Sequence, residues 1–346
     1  MDAPTDVREG AGEGAQDPVE GEAQDEGMEP EEKARENESK SDSKSESKSK
    51  PESESKAEGQ DDQSAEEAAA QAEKEAKGAL LAQMWESDLQ GIVDSTDMRV
   101  CVCAIDLQSN KRVSLGGSEQ VPSASMIKLL VAETFFRQVA DGKQSLDDVY
   151  ELRGSDMVGG TGVINQMAPG TPLDMQTLLT HMIADSDNTA TNVLIDRLGM
   201  DAINTEAEAL GLKQTRLQRR MMDFGAAESG FENYTSANDV AKLLKMVYKR
   251  KFVNKKSSKL MLQMLERQTD NTCISAGLPD GTVFAHKTGS GSTVRHDGGI
   301  VEGDRPFVLV CLCGDGGGYS EYLAMSTMQR IGAAAYADAE AVYPAE

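Results

Sequence analysis

Val121-Pro122-Ser123-Ala124-Ser125-Met126-Ile127-Lys128-Leu129-Leu130 is the stretch around which the rest of the chain is read. It puts Ser125 and Lys128 three residues apart at the mouth of an apolar helix that continues as Val131-Ala132-Glu133-Thr134-Phe135-Phe136. Three residues is nearly one helical turn, so both side chains project from one face. Met126, Ile127, Leu129, Leu130 and Val131 make surroundings that disfavour an ammonium ion. The lysine pKa is therefore expected to fall, which lets the amine take a proton from a neighbouring hydroxyl. A serine can become a nucleophile that way without a histidine. Ser-x-x-Lys alone decides little. It recurs at Ser41/Lys44, Ser45/Lys48 and Ser53/Lys56, and a plain cap on a buried helix also accounts for Ser125.

The charge of −24 is unevenly spread along the 346 residues. Residues 1–76 hold 25 acidic and 9 basic side chains, leaving 34 acidic and 26 basic for the remainder. A mildly acidic folded part excludes nucleic acid as an expected partner. Residues 1–63 are Glu, Ser, Lys, Gly and Asp with almost nothing to bury. They are expected to be a disordered acidic tail. The start, Met1-Asp2-Ala3-Pro4, lacks the basic and apolar regions of a signal peptide, and no run of 18 apolar residues would span a membrane. Five cysteines fall as Cys101/Cys103, Cys273 and Cys311/Cys313, with no Cys-x-x-Cys. The spacing puts each Cys-x-Cys pair on one face of a strand, as buried small hydrophobes. His181, His286 and His296 show no metal-ligand spacing, so neither a metal nor another cofactor is expected.

Order is expected from Ser64, where Ser64-Ala65-Glu66-Glu67 reads as a capping box. The alanine-rich helix it opens gains an apolar face at Leu80, Leu81, Met84, Trp85, Leu89 and Ile92. Met98–Asp106 and Lys111–Leu115 read as strands around a Ser109-Asn110 turn. Helical periodicity fills most of the middle, at Met175–Ala184, Thr189–Leu198, Met200–Leu210 and Ser236–Tyr248, the last with a second capping box at Ser236–Asp239. Strand character returns at Val283–His286, Gly298–Val301 and Pro306–Cys313, before a closing helix over Ser320–Ala339. Strands at both ends with helices between fit repeated βαβ poorly. They predict an α+β fold, an α/β/α sandwich with an antiparallel sheet of about five strands built from both chain ends. On this reading a catalytic domain spans 64–346, with a sheet lobe at 64–144 and 264–346. A helical lobe at 145–263 completes it, and the cleft between the lobes is where a site belongs.

Two further motifs give the first one meaning. Ser186-Asp187-Asn188 lies 61 residues after Ser125, in the helical stretch, and Lys287-Thr288-Gly289 lies 101 residues further, in a strand. Ser-x-x-Lys, Ser-Asp-Asn and Lys-Thr-Gly, in that order, form the set of class A β-lactamases and penicillin-binding proteins. Over roughly residues 80–340 the chain resembles that superfamily of serine hydrolases. The resemblance implies that Ser125 attacks an amide carbonyl, that Lys128 serves as base or proton shuttle, and that the Ser186 hydroxyl relays a proton to the departing nitrogen. Asn188 would hold the substrate amide, Lys287 and Thr288 its carboxylate, and Gly289 would let it lie close to the strand. The backbone N–H groups of Ser125 and Ser290 would form the oxyanion hole. Arg295 is a further carboxylate candidate, while Asp187, His296 and Asp297 read as structural.

The pattern departs from the family in one place. Class A β-lactamases carry a loop whose glutamate and asparagine position the deacylating water. Leu212–Arg219 approaches such a loop, but an ungapped alignment from Thr215-Arg216-Leu217 puts Met221 at the glutamate position and Gly225 at the asparagine position. Methionine cannot accept a proton, and base assistance is worth about 10²–10⁴ in rate. Asp223 and Glu228 are the nearest acids and read as solvated loop residues. The expectation is an acyl-enzyme hydrolase of β-lactams or related compounds with slow deacylation. The alternatives are a D-alanyl-D-alanine carboxypeptidase of the penicillin-binding type and a non-turnover binder of β-lactams or muropeptides. The chain is expected to be a monomer, and the resemblance implies a place outside the cytoplasmic membrane, in the extracellular space or cell envelope.

Overall fold

A computed structural model describes residues 58–314 and 316–344. The tail expected over residues 1–63 lies outside the described residues up to position 57. Helix α1 (Glu58–Val93) is already formed ahead of Ser64, which therefore sits inside the helix and does not cap it. No proline interrupts Gly59–Gln63, so the helix can begin ahead of Ser64, with Asp61 and Asp62 in its first turns favoured by the helix dipole.

Strand β1 (Val100–Asp106) turns at Asn110, whose φ of 64° suits an asparagine, into β2 (Arg112–Leu115). The short β3 (Val121–Pro122) leads through a 3-10 turn (Ala124–Ile127) into α2 (Lys128–Ala140). There follow β4 (Val149–Glu151), β5 (Pro172–Asp174), α3 (Met175–Ala184), α4 (Asn188–Leu198), α5 (Met200–Ala209) and α6 (Phe224–Glu228). After β6 (Tyr234–Thr235) come α7 (Ala237–Tyr248) and α8 (Lys255–Leu265). The chain closes with β7 (Phe284–Ser290), β8 (Val294–Val301), β9 (Phe307–Gly314) and α9 (Glu321–Val342).

Five strands form one antiparallel sheet in the order β2-β1-β9-β8-β7, built from both ends of the chain as expected. The sheet is covered on both faces, which is why β1 and β9 read as unbroken apolar runs. Alternation sends Val100, Val102 and Ala104 towards α1 and α9, and Cys101, Cys103 and Ile105 towards the helical side. On the outer face Trp85 donates its indole N–H to Ala335 O at 3.0 Å and packs on Phe307. On the inner face α7 packs on β1, β8 and β9 and α8 on β7, both from inside the 145–263 stretch or its edge, while α2 packs against α3, α4, α5 and α7.

All five cysteines are buried, and among the described residues none is in a disulfide. Cys101 and Cys103 share one face of β1, and Cys311 and Cys313 the opposite face of the sheet, their sulfurs 3.6 Å apart. Burial pushes the Cys103 thiol up to about 12, so these groups behave as small hydrophobes.

Candidate active site

Ser125 stands one residue into the 3-10 turn, three positions before Lys128, whose backbone N–H bonds to Ser125 O. Helix α2 proper starts only at Lys128. In a 3-10 turn residues i and i+3 eclipse one another, so the two side chains share a face more closely than in an α-helix. The turn is braced on both sides. Ser123 N–H bonds to Asn233 O at 2.7 Å, and β3 pairs Val121 with Thr235. His296 Nε2 lies 2.8 Å from Pro122 O.

Lys128 is fully buried, and its Nζ meets Ser186 O at 2.6 Å, Asn188 Oδ1 at 2.9 Å and Ser186 Oγ at 3.1 Å. Burial, and then the charge of Lys287, hold it well below the ordinary lysine range, against the opposing pull of Asp187. Two of its partners can only accept. A neutral amine would spend its two hydrogens on them and turn its lone pair to the Ser186 hydroxyl. The expected contact to Ser125 Oγ is different: among the described residues no hydrogen bond joins it to Lys128, and the hydroxyl held by the amine is that of Ser186.

Lys287 reaches the same hydroxyl from the sheet. Its Nζ donates to Ser186 Oγ at 2.9 Å and to Thr288 O at 2.8 Å. Burial brings its pKa down to about 7, with Asp297 and Asp270 working the other way. Lys287, Ser186 and Lys128 therefore form one buried chain of donors and acceptors joining the edge strand β7 to α2.

Ser186 occupies a left-handed backbone conformation, φ 53°, immediately before α4. Its carbonyl receives Lys128 Nζ and also Thr161 Oγ1, at 2.7 Å, which secures the conformation from both sides. Asp187 is structural, as expected: Oδ1 caps Ala190 N–H at 2.9 Å, and Oδ2 accepts from Val163 N–H at 2.7 Å and Ile164 N–H at 2.8 Å. The Asn188 carboxamide is partly committed, since Nδ2 donates to Gly159 O at 3.1 Å while Oδ1 serves Lys128.

On β7, Lys287 and Gly289 face the helical side. Thr288 and Ser290 project from the other face, paired with Asp297 and Arg295 of β8. A Cβ on Gly289 would come within 3.3 Å of Met126 and of the His296 ring. The glycine thus lets β7 close onto the nucleophile turn, a different reason from the ligand clearance expected of it. Arg295 spends its guanidinium inside the chain, on Asp270 Oδ2 at 2.6 Å, Thr272 Oγ1 at 2.9 Å and Cys273 Sγ at 3.2 Å. Its carboxylate partners are Asp270 and, at 3.6 Å, Glu321. Asp297 joins Ile274 N–H to His286 Nδ1 and is structural, as read.

The loop facing this cluster carries Met221, with 7% of its surface exposed. Asn192 holds it by both backbone groups, accepting from Met221 N–H at 2.8 Å and donating to Met221 O at 3.1 Å. No sequence motif marks Asn192, although it stands one helical turn after Asn188 on α4. Arg219 and Glu232 pair across the loop, and Asn233 Oδ1 accepts from the N–H groups of Gln218 and Arg219. Met222, at φ 64°, lies beside Gly160, where an added Cβ would strike Asn188 Nδ2 at 2.6 Å and Met222 Sδ at 3.0 Å. Two methionines thus occupy the loop at this point. Asp223 caps α6 through Ala226 N–H, and both Asp223 and Glu228 are exposed.

Comparison with known proteins agrees with this geometry. A family model described as the beta-lactamase enzyme family matches residues 84–339. Beta-lactamase Toho-2 of Escherichia coli is 29% identical over 231 residues, 65% of this chain and 79% of that protein. A beta-lactamase of Streptomyces albus G is 27% identical over 241 residues, 66% of this chain and 76% of that protein. Among solved structures, a beta-lactamase from Sphaerobacter thermophilus superposes with a TM-score of 0.67 at 25% identity, covering 74% of this chain and 97% of that one. PBP-A superposes equally well, at 0.67 and 25% identity, over 74% and 95% of the two chains.

Proposed function

This chain belongs to the beta-lactamase enzyme family, as a serine hydrolase acting on amide bonds, and we propose that it forms a Ser125 acyl-enzyme with β-lactams or related acyl compounds and releases it slowly. Once substrate enters, the Lys128 amine turns from Ser186 to Ser125 and takes its proton as Oγ attacks the carbonyl carbon. The developing oxyanion is held by the N–H groups of Ser125 and Ser290, each such donor being worth about 10²–10³ in rate. Collapse breaks the C–N bond, and Ser186 passes a proton to the nitrogen, which leaves poorly as an anion. Lys287 takes the substrate carboxylate, and the free hydrogen of Asn188 Nδ2 takes the substrate amide. Arg295 acts through its ion pair with Asp270, sustaining the field around Lys287.

The observation that carries this reading is the buried Lys128–Ser186–Lys287 chain, which is ready to move a proton between attacking and leaving atoms. Slow release follows from Met221, because among the described residues no carboxylate is bonded to Lys128 or Ser186. The same feature favours a second reading, a D-alanyl-D-alanine peptidase of cell-wall peptides, whose chemistry does not use that glutamate. The family's substrates put the site of action in the cell envelope or outside the cell.

Labelling the full chain with a fluorescent penicillin and chasing with unlabelled drug tests both. Fast loss of label supports efficient hydrolysis, and persistent label the peptidase or a long-lived adduct. No label on folded wild-type protein, or undiminished label on Ser125→Ala, defeats every acyl-enzyme version.

A further inference from the structure

Away from Ser125, a cleft of about 610 Å³ opens between the β1–β2 hairpin, the Gly211–Gln214 loop and α7. Four cations line it. Lys242 and Lys245 share one face of α7, Arg112 stands opposite on the edge strand β2, and Lys213 comes from the loop. Among the described residues none of the four forms an ion pair. Lys242 Nζ is held by Leu210 O, which fixes its position without neutralising it. The one carboxylate in the lining, Asp239, is committed to the loop, accepting from Gln214 N–H at 2.8 Å and Thr215 Oγ1 at 2.9 Å.

Four converging positive charges repel one another, and the rest of the folded chain is acidic, so their concentration in one concave place calls for a counter-charge. The lining also limits what can supply it. No aromatic side chain is present and Ile105 is the single large apolar one, so flat rings and lipid tails find no surface. Asn110, Ser118 and Gln214 offer hydrogen bonds to hydroxyl or ester oxygens. Arg112 supplies a planar fork and the lysines point charges, the combination that recognises phosphate.

We propose that this cleft binds a hydrophilic oligoanion carrying two or more phosphate groups, at a site separate from the Ser125 centre. Four cations less the one carboxylate of Asp239 leave the lining at +3, which two phosphate groups would balance, one on the Arg112 and Lys245 side and one on the Lys213 and Lys242 side. The site is independent of whether Ser125 is acylated.

Titration calorimetry of the full chain with inorganic tripolyphosphate, at two salt concentrations, tests the assignment. Saturable one-to-one binding that weakens with salt is expected. The double variant Lys242→Gln/Lys245→Gln should lose at least about tenfold in affinity, and Arg112→Gln, on the opposite wall, should lose several-fold on its own. Both variants should keep the wild-type melting temperature in phosphate-free buffer. Lys287→Ala should bind as wild type does. Absence of saturable binding, or unchanged affinity in both cleft variants, overturns the proposal. So does binding that disappears in Lys287→Ala and survives in the cleft variants, since that puts the anion beside Ser125.

Discussion

Replacing Ser186 separates the chemistry of its hydroxyl from the strain of its backbone. The hydroxyl sits 2.9 Å from Lys287 Nζ and 3.1 Å from Lys128 Nζ, so any substitution that removes it breaks the buried proton path at its centre. General acid–base relay is worth about 10²–10⁴, so acylation by a fluorescent penicillin, followed by stopped flow, should slow by that factor in both Ser186→Ala and Ser186→Gly. This equals about 2.7–5.4 kcal/mol of barrier. The two variants should differ in stability. At φ 53° an alanine carries the left-handed penalty of about 1–2 kcal/mol, whereas glycine carries none. Ser186→Gly should therefore unfold about 1 kcal/mol later than Ser186→Ala, a few degrees in melting temperature. Acylation of Ser186→Ala within about threefold of wild type would refute the relay. Equal melting of the two variants would refute the strain argument.

Other outcomes are equally specific. Met221→Glu should speed release of the penicilloyl label by about 10²–10⁴ if the loop positions water as in the family; an unchanged chase would mean that Gly225, or the burial of position 221, prevents it. Acylation should fall as pH rises through about 7, where Lys287 loses its charge, and Lys287→Arg should move that limb upward. A flat rate across that range counts against Lys287 as the carboxylate anchor. Glu133, buried beside Glu206 and Arg137, has its pKa raised to about 8, chiefly by burial and then by Glu206. A raised carboxyl pKa favours folding at low pH, and that contribution fades as pH climbs from the ordinary glutamate range through about 8. Glu133→Gln should remove this slope from the melting temperature; a variant that keeps it shows the titrating group is elsewhere. Asp187→Ala takes the acceptor from three backbone N–H groups and should cost about 2–4 kcal/mol in chemical denaturation; a loss under about 0.5 kcal/mol would show that water replaces it.

The sheet and most helices were legible because their signals are periodic. Met175–Ala184 was read to the residue, since Asp174 caps it and its apolar spacing is regular. Strand β8 was expected only at Gly298–Val301 but runs from Val294. Arg295, His296 and Asp297 hide it, because their charges look like surface until partners from distant segments satisfy them in the interior. The turn holding Ser125 reads as helix in the sequence, because a four-residue 3-10 segment has too few positions to show its own period. The motifs named Lys128, Ser186 and Lys287 correctly as neighbours. No motif could show that the amine waits on Ser186, that Gly289 admits Met126, or that Arg295 is taken up by Asp270. Those are matters of rotamer and packing, decided by atoms far apart in the chain.

The order of the strands also dictates how the polypeptide can be made. β9, made after the other four strands of the sheet, is the middle one, and it pairs with β1 on one side and β8 on the other. Until then the first hairpin has an open edge, Trp85 lacks the Phe307 ring it packs on, and Lys287 stands on a strand without its support. Nucleophile, relay and anchor are thus assembled together only once β9 is in place, and any shortened chain ending before Phe307 lacks the strand on which that assembly depends.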